Sequence, residues 1–298
     1  MEAYLGEFSA LLVAVFWTVT AIAFERASVR IGSLSLNVIR LFMGLFFLTL
    51  YVWIRRGIPF PTDASGFNWI WLSVSGLVGF VFGDLFLFKS YRLIGSRFAM
   101  LIMTLAPPMA AIAGWIGLGE NLLPLQILGM FLTILGISMA IFVRNVNKKG
   151  FSMNLSLKGA LFAFLGAAGQ GIGLVLSKYG MQEYDPFAAT QVRLMAAIVG
   201  FAVLTTILGR WRKVLGATRD RKGMSATALG SFFGPFLGVS FSLLAIRYTE
   251  TGIAATIMAI VPILIIPPAV LLYKEKVRPL EIIGSVISIA GVALLFLV

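Results

Sequence analysis

The sequence predicts an all-α membrane protein, ten transmembrane helices arranged as two inverted five-helix repeats. Three observations lead there: a composition too apolar for water, ten apolar runs of spanning length, and a self-similarity that returns after about half the chain. Hydrophobic residues fill 59% of the 298 positions and charged residues 12%, with a mean hydropathy of +0.98, whereas soluble domains carry about 25% charged residues. So little polar surface excludes a soluble enzyme. The absence of Cys removes disulfides, thiolate nucleophiles and zinc–thiolate sites, and the absence of His removes the commonest general base and metal ligand. No cofactor, metal or nucleic-acid partner is therefore expected, and the chain is read as no enzyme.

The apolar runs fall at roughly 6–25, 34–54, 67–88, 94–118 and 123–143, then 156–177, 186–208, 225–246, 250–273 and 277–297. Each holds about 20 residues, the number that carries a helix across a hydrocarbon core about 30 Å thick. The first follows MEAYLGE, which has two Glu and no basic residue, so it is read as a retained helix and not a cleaved signal. Connections are short and basic; the longest, GRWRKVLGATRDRKGM at 209–224, is expected to be a loop. Outside the spans, Lys and Arg divide eighteen to four between the two sides. The excess belongs in the cytoplasm, which for an even number of spans sets both termini outside.

Shifted by 155, Gly79, Gly83, Pro107, Glu120, Pro124, Gly129 and Gly136 fall on Gly234, Gly238, Pro262, Glu275, Pro279, Gly284 and Gly291. Shifted by 153, Gly6 falls on Gly159 and Arg40 on Arg193. The repeats are 1–148 and 149–298, in one integrated membrane unit. Five spans each is an odd number, so the second copy enters from the opposite face. Inverted repeats typify secondary transporters, with the solute near the midplane between the copies; duplication that left a symmetric receptor is the plainer alternative.

The run SYRLIGSRFAMLIMTLAPPMAAIAGWIGLGENLLPLQILGMFLTILGISMAI resembles the fourth and fifth helices of the drug/metabolite transporter superfamily, EamA group, and AIRYTETGIAATIMAIVPILIIPPAVLLYKEKVRPLEIIGSVISIAGVALL is its second-half counterpart. FWTVTAIAFERA and LNVIRLFMGL resemble the first two helices. The resemblance implies a multi-pass exporter of the cytoplasmic (inner) membrane that moves small polar metabolites, amino acids or similar, by alternating access. A multidrug or lipophilic-cation exporter is the rival within transport; a membrane-embedded lipid-handling enzyme or receptor is the rival outside it. Members of the family are thought to keep both termini in the cytoplasm, contrary to the charge count here.

Candidate residues are the polar and kinking ones inside the spans, because an ionisable side chain at the bilayer centre costs at least about 2.5 kcal/mol. Trp17 and Thr20 in the first span and Gln170 in the sixth should face a cavity, since polar groups facing lipid would go unsatisfied. Trp17 and Gln170 are equivalent under the 153 shift. Met103, Met258 and Thr104 stand just before the prolines and suit the same space, packing being the simpler role for the methionines. Pro107 and Pro262 each remove an i→i−4 bond and are the candidate hinges. Arg40, Asp84, Lys89 and Glu25 lie near the basic side, Arg193 and Lys178 near the other. Arg40 is expected to pair with Asp84 or Glu25, and Arg193 to cluster with Lys178, Glu183 or Asp185, as alternating gates; snorkelling with ordinary ion pairs is the alternative. Proton coupling would need a carboxylate, Asp84 or Glu25. Small-residue spacings at Gly79/Gly83, Gly169/Gly173 and Gly234/Gly238 should let backbones approach closely. Gly129/Gly136 and Gly284/Gly291 should pack the fifth span on the tenth, in a monomer or weak dimer within the bilayer.

Overall fold

The computed structural model describes residues 4–118, 123–145, 156–248, 254, 257–273 and 277–294, and every regular element among them is helical. Helices α1 (Leu5–Ile31) and α2 (Ser33–Arg56) join through Gly32 alone, at a φ of 81° that L side chains rarely adopt. A capping box between Ser65 and Asn68 opens α3 (Gly66–Gly76). The helix continues through a π-helical turn, Leu77–Gly83, into α4 (Asp84–Ile102). A 3-10 turn at Met103–Leu105 leads to α5 (Ala106–Leu118), and α6 (Pro124–Asn145) follows.

The second half begins with α7 (Leu157–Met181) and α8 (Pro186–Ile207), the latter started by Asp185 and a proline in its first turn. Then come α9 (Trp211–Ala217), α10 (Arg221–Ser231), a second π-helical turn at Phe232–Gly238, and α11 (Val239–Tyr248). α12 (Val261–Leu264), α13 (Ile266–Tyr273) and α14 (Pro279–Leu294) complete the fold. Exposed Phe46, Trp53, Ile54, Ile207 and Leu271 give the bundle an apolar outer surface suited to lipid.

One local expectation, the loop at 209–224, needs revision, and two others are placed more closely. The third and fourth apolar runs form one helical trace, Gly66–Ala113, folded back at Gly95 (φ 80°), so that the Tyr91 hydroxyl reaches the Met100 sulfur at 3.3 Å. The 209–224 segment is not a plain loop: it holds α9, and the Asp220 side chain accepts the Gly223 N–H to start α10. The ninth run is divided at Ile265, ahead of Pro267 and Pro268. Glu120 and Glu275, and the basic residues Lys148, Lys149, Lys274 and Lys276, lie outside the described residues.

Cross-repeat contacts carry the inverted symmetry. A Cβ on Gly79 would meet Gly173 at 3.9 Å, and one on Gly234 would meet Thr20 at 2.7 Å. These are one contact seen twice, since 155 relates Gly79 to Gly234 and 153 relates Thr20 to Gly173. The third helix of each repeat thus lies against the first helix of the other, antiparallel to it. The two π-helical turns are also 155 residues apart. Hydrogen bonds join the same seam: Ser75 donates to the Gly173 carbonyl at 2.7 Å, and Asn68 to that of Gly180 at 2.7 Å.

α6 and α14 make the most extensive helix pair. A Cβ on Gly284 would stand 2.6 Å from the Gly136 carbonyl oxygen, and one on Gly291 equally close to that of Gly129. These glycines therefore pack the fifth and tenth spans within one chain. Gly136→Val should lower stability by about 1–3 kcal/mol through overpacking, read as a drop in thermal midpoint in detergent.

Away from the basic end, the 57–65 loop is pinned to the α7–α8 turn. The Tyr184 hydroxyl donates to Asp63 at 2.9 Å, and Arg56 pairs with the same carboxylate. Partial burial, with the adjacent Asp63 charge, pushes the Tyr184 phenol up to about 12. A slight burial of Asp63 pushes its carboxyl up, but the bonds from Tyr184 and Arg56 outweigh this and hold it below the ordinary carboxylate value. A carboxyl lowered on folding stabilises fully above its unfolded pKa, and that contribution is lost as pH falls through the folded one. Asp63→Asn should therefore flatten the acid limb of a midpoint-versus-pH curve, lowering the midpoint slightly at neutral pH and leaving it unchanged in acid, where the carboxyl is protonated in both states.

Candidate functional site

Where the two repeats meet there is a cavity of about 650 Å3. α7 supplies one wall, with Gln170, Leu174 and Lys178 at four-residue spacing. Opposite lie Trp17 and Thr20 of α1, and Met258 with Pro262 at the start of α12. Met103, Thr104 and Pro107 line the kinked passage from α4 to α5. Pro107 and Pro262 have no N–H to offer the carbonyls of Met103 and Met258, four residues earlier. Thr104 is fixed by a 2.8 Å bond to Ser288 of α14.

The cavity is closed at one end and open at the other. Its floor is the α4 stripe Asp84, Leu87, Phe88 and Tyr91, of which all four are buried. Beneath the floor, toward the basic side, Ser96 donates to Glu25 at 2.5 Å and Arg30 grips Asp220 through two oxygens, at 3.1 and 2.9 Å. At the other end Lys178, Tyr179 and Gln182 are exposed. The mouth therefore faces away from the basic loops.

Asp84 organises the floor. Its Oδ2 accepts from Arg40 at 2.5 Å and its Oδ1 from Gln170 at 2.6 Å, so one carboxylate ties the first repeat to the second. Arg40 and Asp84 are buried as a pair. Asn37, one turn before Arg40, accepts its Nε–H at 3.1 Å. The Arg40 guanidinium also lies 4.7 Å from the Phe88 ring centre and 5.7 Å from those of Phe24 and Phe80.

The external Arg193 cluster does not form. Glu183 pairs with Arg247, Asp185 is used in capping α8, and Lys178 stands at the cavity mouth. Arg193 instead turns inward, 4.8 Å over the Phe80 ring, within electrostatic reach of Asp84. The reason is packing: α8 lies against α3 so closely that a Cβ on Gly76 would collide with the Arg193 backbone, which aims the side chain along Gly79 into the bundle. Two arginines equivalent in sequence thus converge on one phenylalanine and one carboxylate.

The structure brings Trp17, Thr20, Met103, Thr104, Gln170, Met258, Asp84, Lys178, Pro107 and Pro262 to the cavity wall. Glu25, Arg40, Lys89 and Arg193 are absent from it. Lys89 lies over the rings of Phe86 and Phe162. Sequence reasoning missed Phe88, Tyr91, Asn37 and Phe80. A helical-face projection from Asp84 would have found Phe88 and Tyr91, four and seven residues on.

Among the described residues, two bundles of opposite orientation enclose a cavity with a closed floor and an open mouth. The chain belongs to the EamA-like transporter family, whose model matches residues 4–142 and again 157–297. It is a multi-pass membrane protein. An uncharacterized transporter of Clostridium kluyveri is 27% identical over 141 residues, 47% of this chain and 44% of that protein. The chain thus spans under half the length of that relative. A protein of known crystal structure has the same fold, with a TM-score of 0.65 and 17% identity over 99% of this chain and 96% of its own.

Asp84→Asn leaves two buried guanidinium groups without their carboxylate and should cost about 3 kcal/mol. Adding Arg40→Gln should recover at least about 1 kcal/mol, since the residues share one network. Chemical denaturation of the single and double variants measures both.

Proposed function

We propose that the protein carries small polar metabolites, amino acids or similar, across the cytoplasmic membrane by alternating access, acting in the bilayer as a monomer or weak dimer. The observation that carries this reading is the cavity between inverted repeats, sealed by the Asp84–Tyr91 floor and open beside Lys178. With the basic loops in the cytoplasm, this state is the outward-open one. Exchanging the conformations of two like-folded halves would close the Lys178 mouth and open the basic end. Asp84, Gln170 and Thr20 supply polar contacts at the floor, while Trp17 and the methionines receive an apolar portion. Proton coupling would run through Asp84, the acid among the described residues that lines the cavity.

Net positive charge behind the floor weighs against a lipophilic-cation exporter. The division into 1–148 and 149–298 is part of the same proposal, each half contributing one side of the pathway.

The chain has no Cys, so single-cysteine variants carry no background. Lys178→Cys should react with a membrane-impermeant maleimide from outside, and saturating solute should slow the reaction several-fold. Trp17→Ala should reduce counterflow into proteoliposomes without abolishing insertion. Labelling from the inside only, or counterflow of a panel of amino acids and small carboxylates no faster than in empty vesicles, would sink the reading.

A further inference from the structure

The charge of the solute follows from a mismatch in the pseudosymmetry. Arg40 and Arg193 are equivalent positions of the two repeats. The carboxylate that Arg40 binds has no such twin, because the position 155 residues beyond Asp84 is Val239. One carboxylate therefore serves two guanidinium groups. Arg40 takes one of its oxygens and Gln170 the other.

Arg193 is left short of acceptors. It is 4% exposed, and its Nε has no hydrogen-bond partner. The Phe80 ring offers only its π face. A buried guanidinium is stable only when anionic or carbonyl oxygens meet its donors. Arg193 is also close to the solute path. A Cβ on Gly79 would lie 3.2 Å from Arg193 Nη2 and 4.0 Å from Gln170 Oε1, so the arginine stands one side chain behind the cavity wall. A second unsatisfied group lies in the same wall: the hydroxyl of Thr20, a cavity-lining residue, is buried without a partner in the seam against Gly234.

These groups recognise an anion. A carboxylate at the floor would meet the Arg193 charge, and would bring two cations and one carboxylate to neutrality. An ammonium group would find both Asp84 oxygens already engaged and two guanidinium groups repelling it. Glu25, the next acid, is held below the floor by Ser96.

We propose that the solute is an amphipathic organic anion, its carboxylate bound at the Asp84–Gln170 end of the cavity under the charge of Arg193, and its apolar body held by Trp17, Phe88, Met103 and Met258. This rests on the transport reading above and names its substrate class. Arg193 is the residue that sets the sign of the charge admitted.

Three probes with one benzyl body separate the alternatives: 3-phenylpropionate, an anion; phenylalanine, a zwitterion; and phenethylamine, a cation. Each is titrated against the purified full chain by intrinsic tryptophan fluorescence and thermal midpoint, and assayed for counterflow. The acid should bind at least about tenfold more tightly than the amine, the worth of one charge-assisted hydrogen bond, with phenylalanine between them. Arg193→Gln should erase that preference, and Arg193→Lys should retain it. An amine that binds as tightly as the acid overturns the proposal while leaving transport standing, as does a preference unchanged in Arg193→Gln. Should Arg193→Gln not fold, the ranking in the unaltered protein decides. If none of the probes binds or crosses, the anion proposal and the transport reading fall together.

Discussion

Backbone-to-backbone approach between the repeats is the constraint on which the rest of the structure depends. Lipid tails are as apolar as leucine, so helices gain nothing by hiding apolar side chains from them; association rests on close packing and interhelical hydrogen bonds. Here the approach occurs where Gly79 and Gly83 meet Gly173 and Gly169, and where Gly234 and Gly238 meet Thr20 and Trp17. Ser75, bonded to both Gly173 and Ser177, reinforces the first of these seams. With one face of α7 pressed on α3, its Gln170–Lys178 face is left to line a space. The same holds for α1, with Trp17 and Thr20. The cavity exists because these first helices are pinned at their glycine contacts and nowhere fill the centre.

On this symmetric backbone the side chains are not symmetric. Trp17 answers to Gln170, Phe80 to Pro235 and Asp84 to Val239. On the proposed transport reading, the backbone relation is what would supply two arrangements of similar stability. The side-chain differences decide what is held between them. One repeat contributes the carboxylate and the other the amide that grips it, so the floor cannot be built from either half alone. The π-helical turns contribute as well. Each inserts a wider turn just before Asp84 or Val239, and such turns redirect the residues that follow them.

Much of this was legible in the sequence, and physics explains which part. Hydrocarbon thickness fixes run length and apolarity, so the spans and their repetition show directly. Gly136 and Gly284 declared a close contact through their spacing. Trp17, Thr20, Gln170 and Thr104 stood out as polar groups where lipid would leave them unsatisfied. What the sequence could not give was azimuth. Spacing put Arg193 at the right depth but not on the right side: only the crowding of α8 on Gly76 turns it toward Phe80 rather than toward Glu183 and Asp185. The reversal between the runs at 67–88 and 94–118 was legible; that a single glycine, Gly95, makes it inside one continuous helical trace was not. α9 was missed because its seven residues look like any basic linker.

On the proposed alternating-access reading the closed end has to open, and the ion pair there suits that step. Opening there must part Arg30 from Asp220, and these side chains are 45% and 26% exposed. Such a pair contributes little, because water replaces what is lost. Arg40 and Asp84, by contrast, are both nearly inaccessible, and parting them without replacement would cost several times more. Arg97 and Glu281, joining α4 to α14 at 2.9 Å, are almost as deeply placed. The Arg40–Asp84 pair lies within the first repeat, whereas Arg97–Glu281 joins the first repeat to the second and holds α4 against α14. Arg193, equivalent to Arg40, lies over the same Phe80 ring that Arg40 approaches.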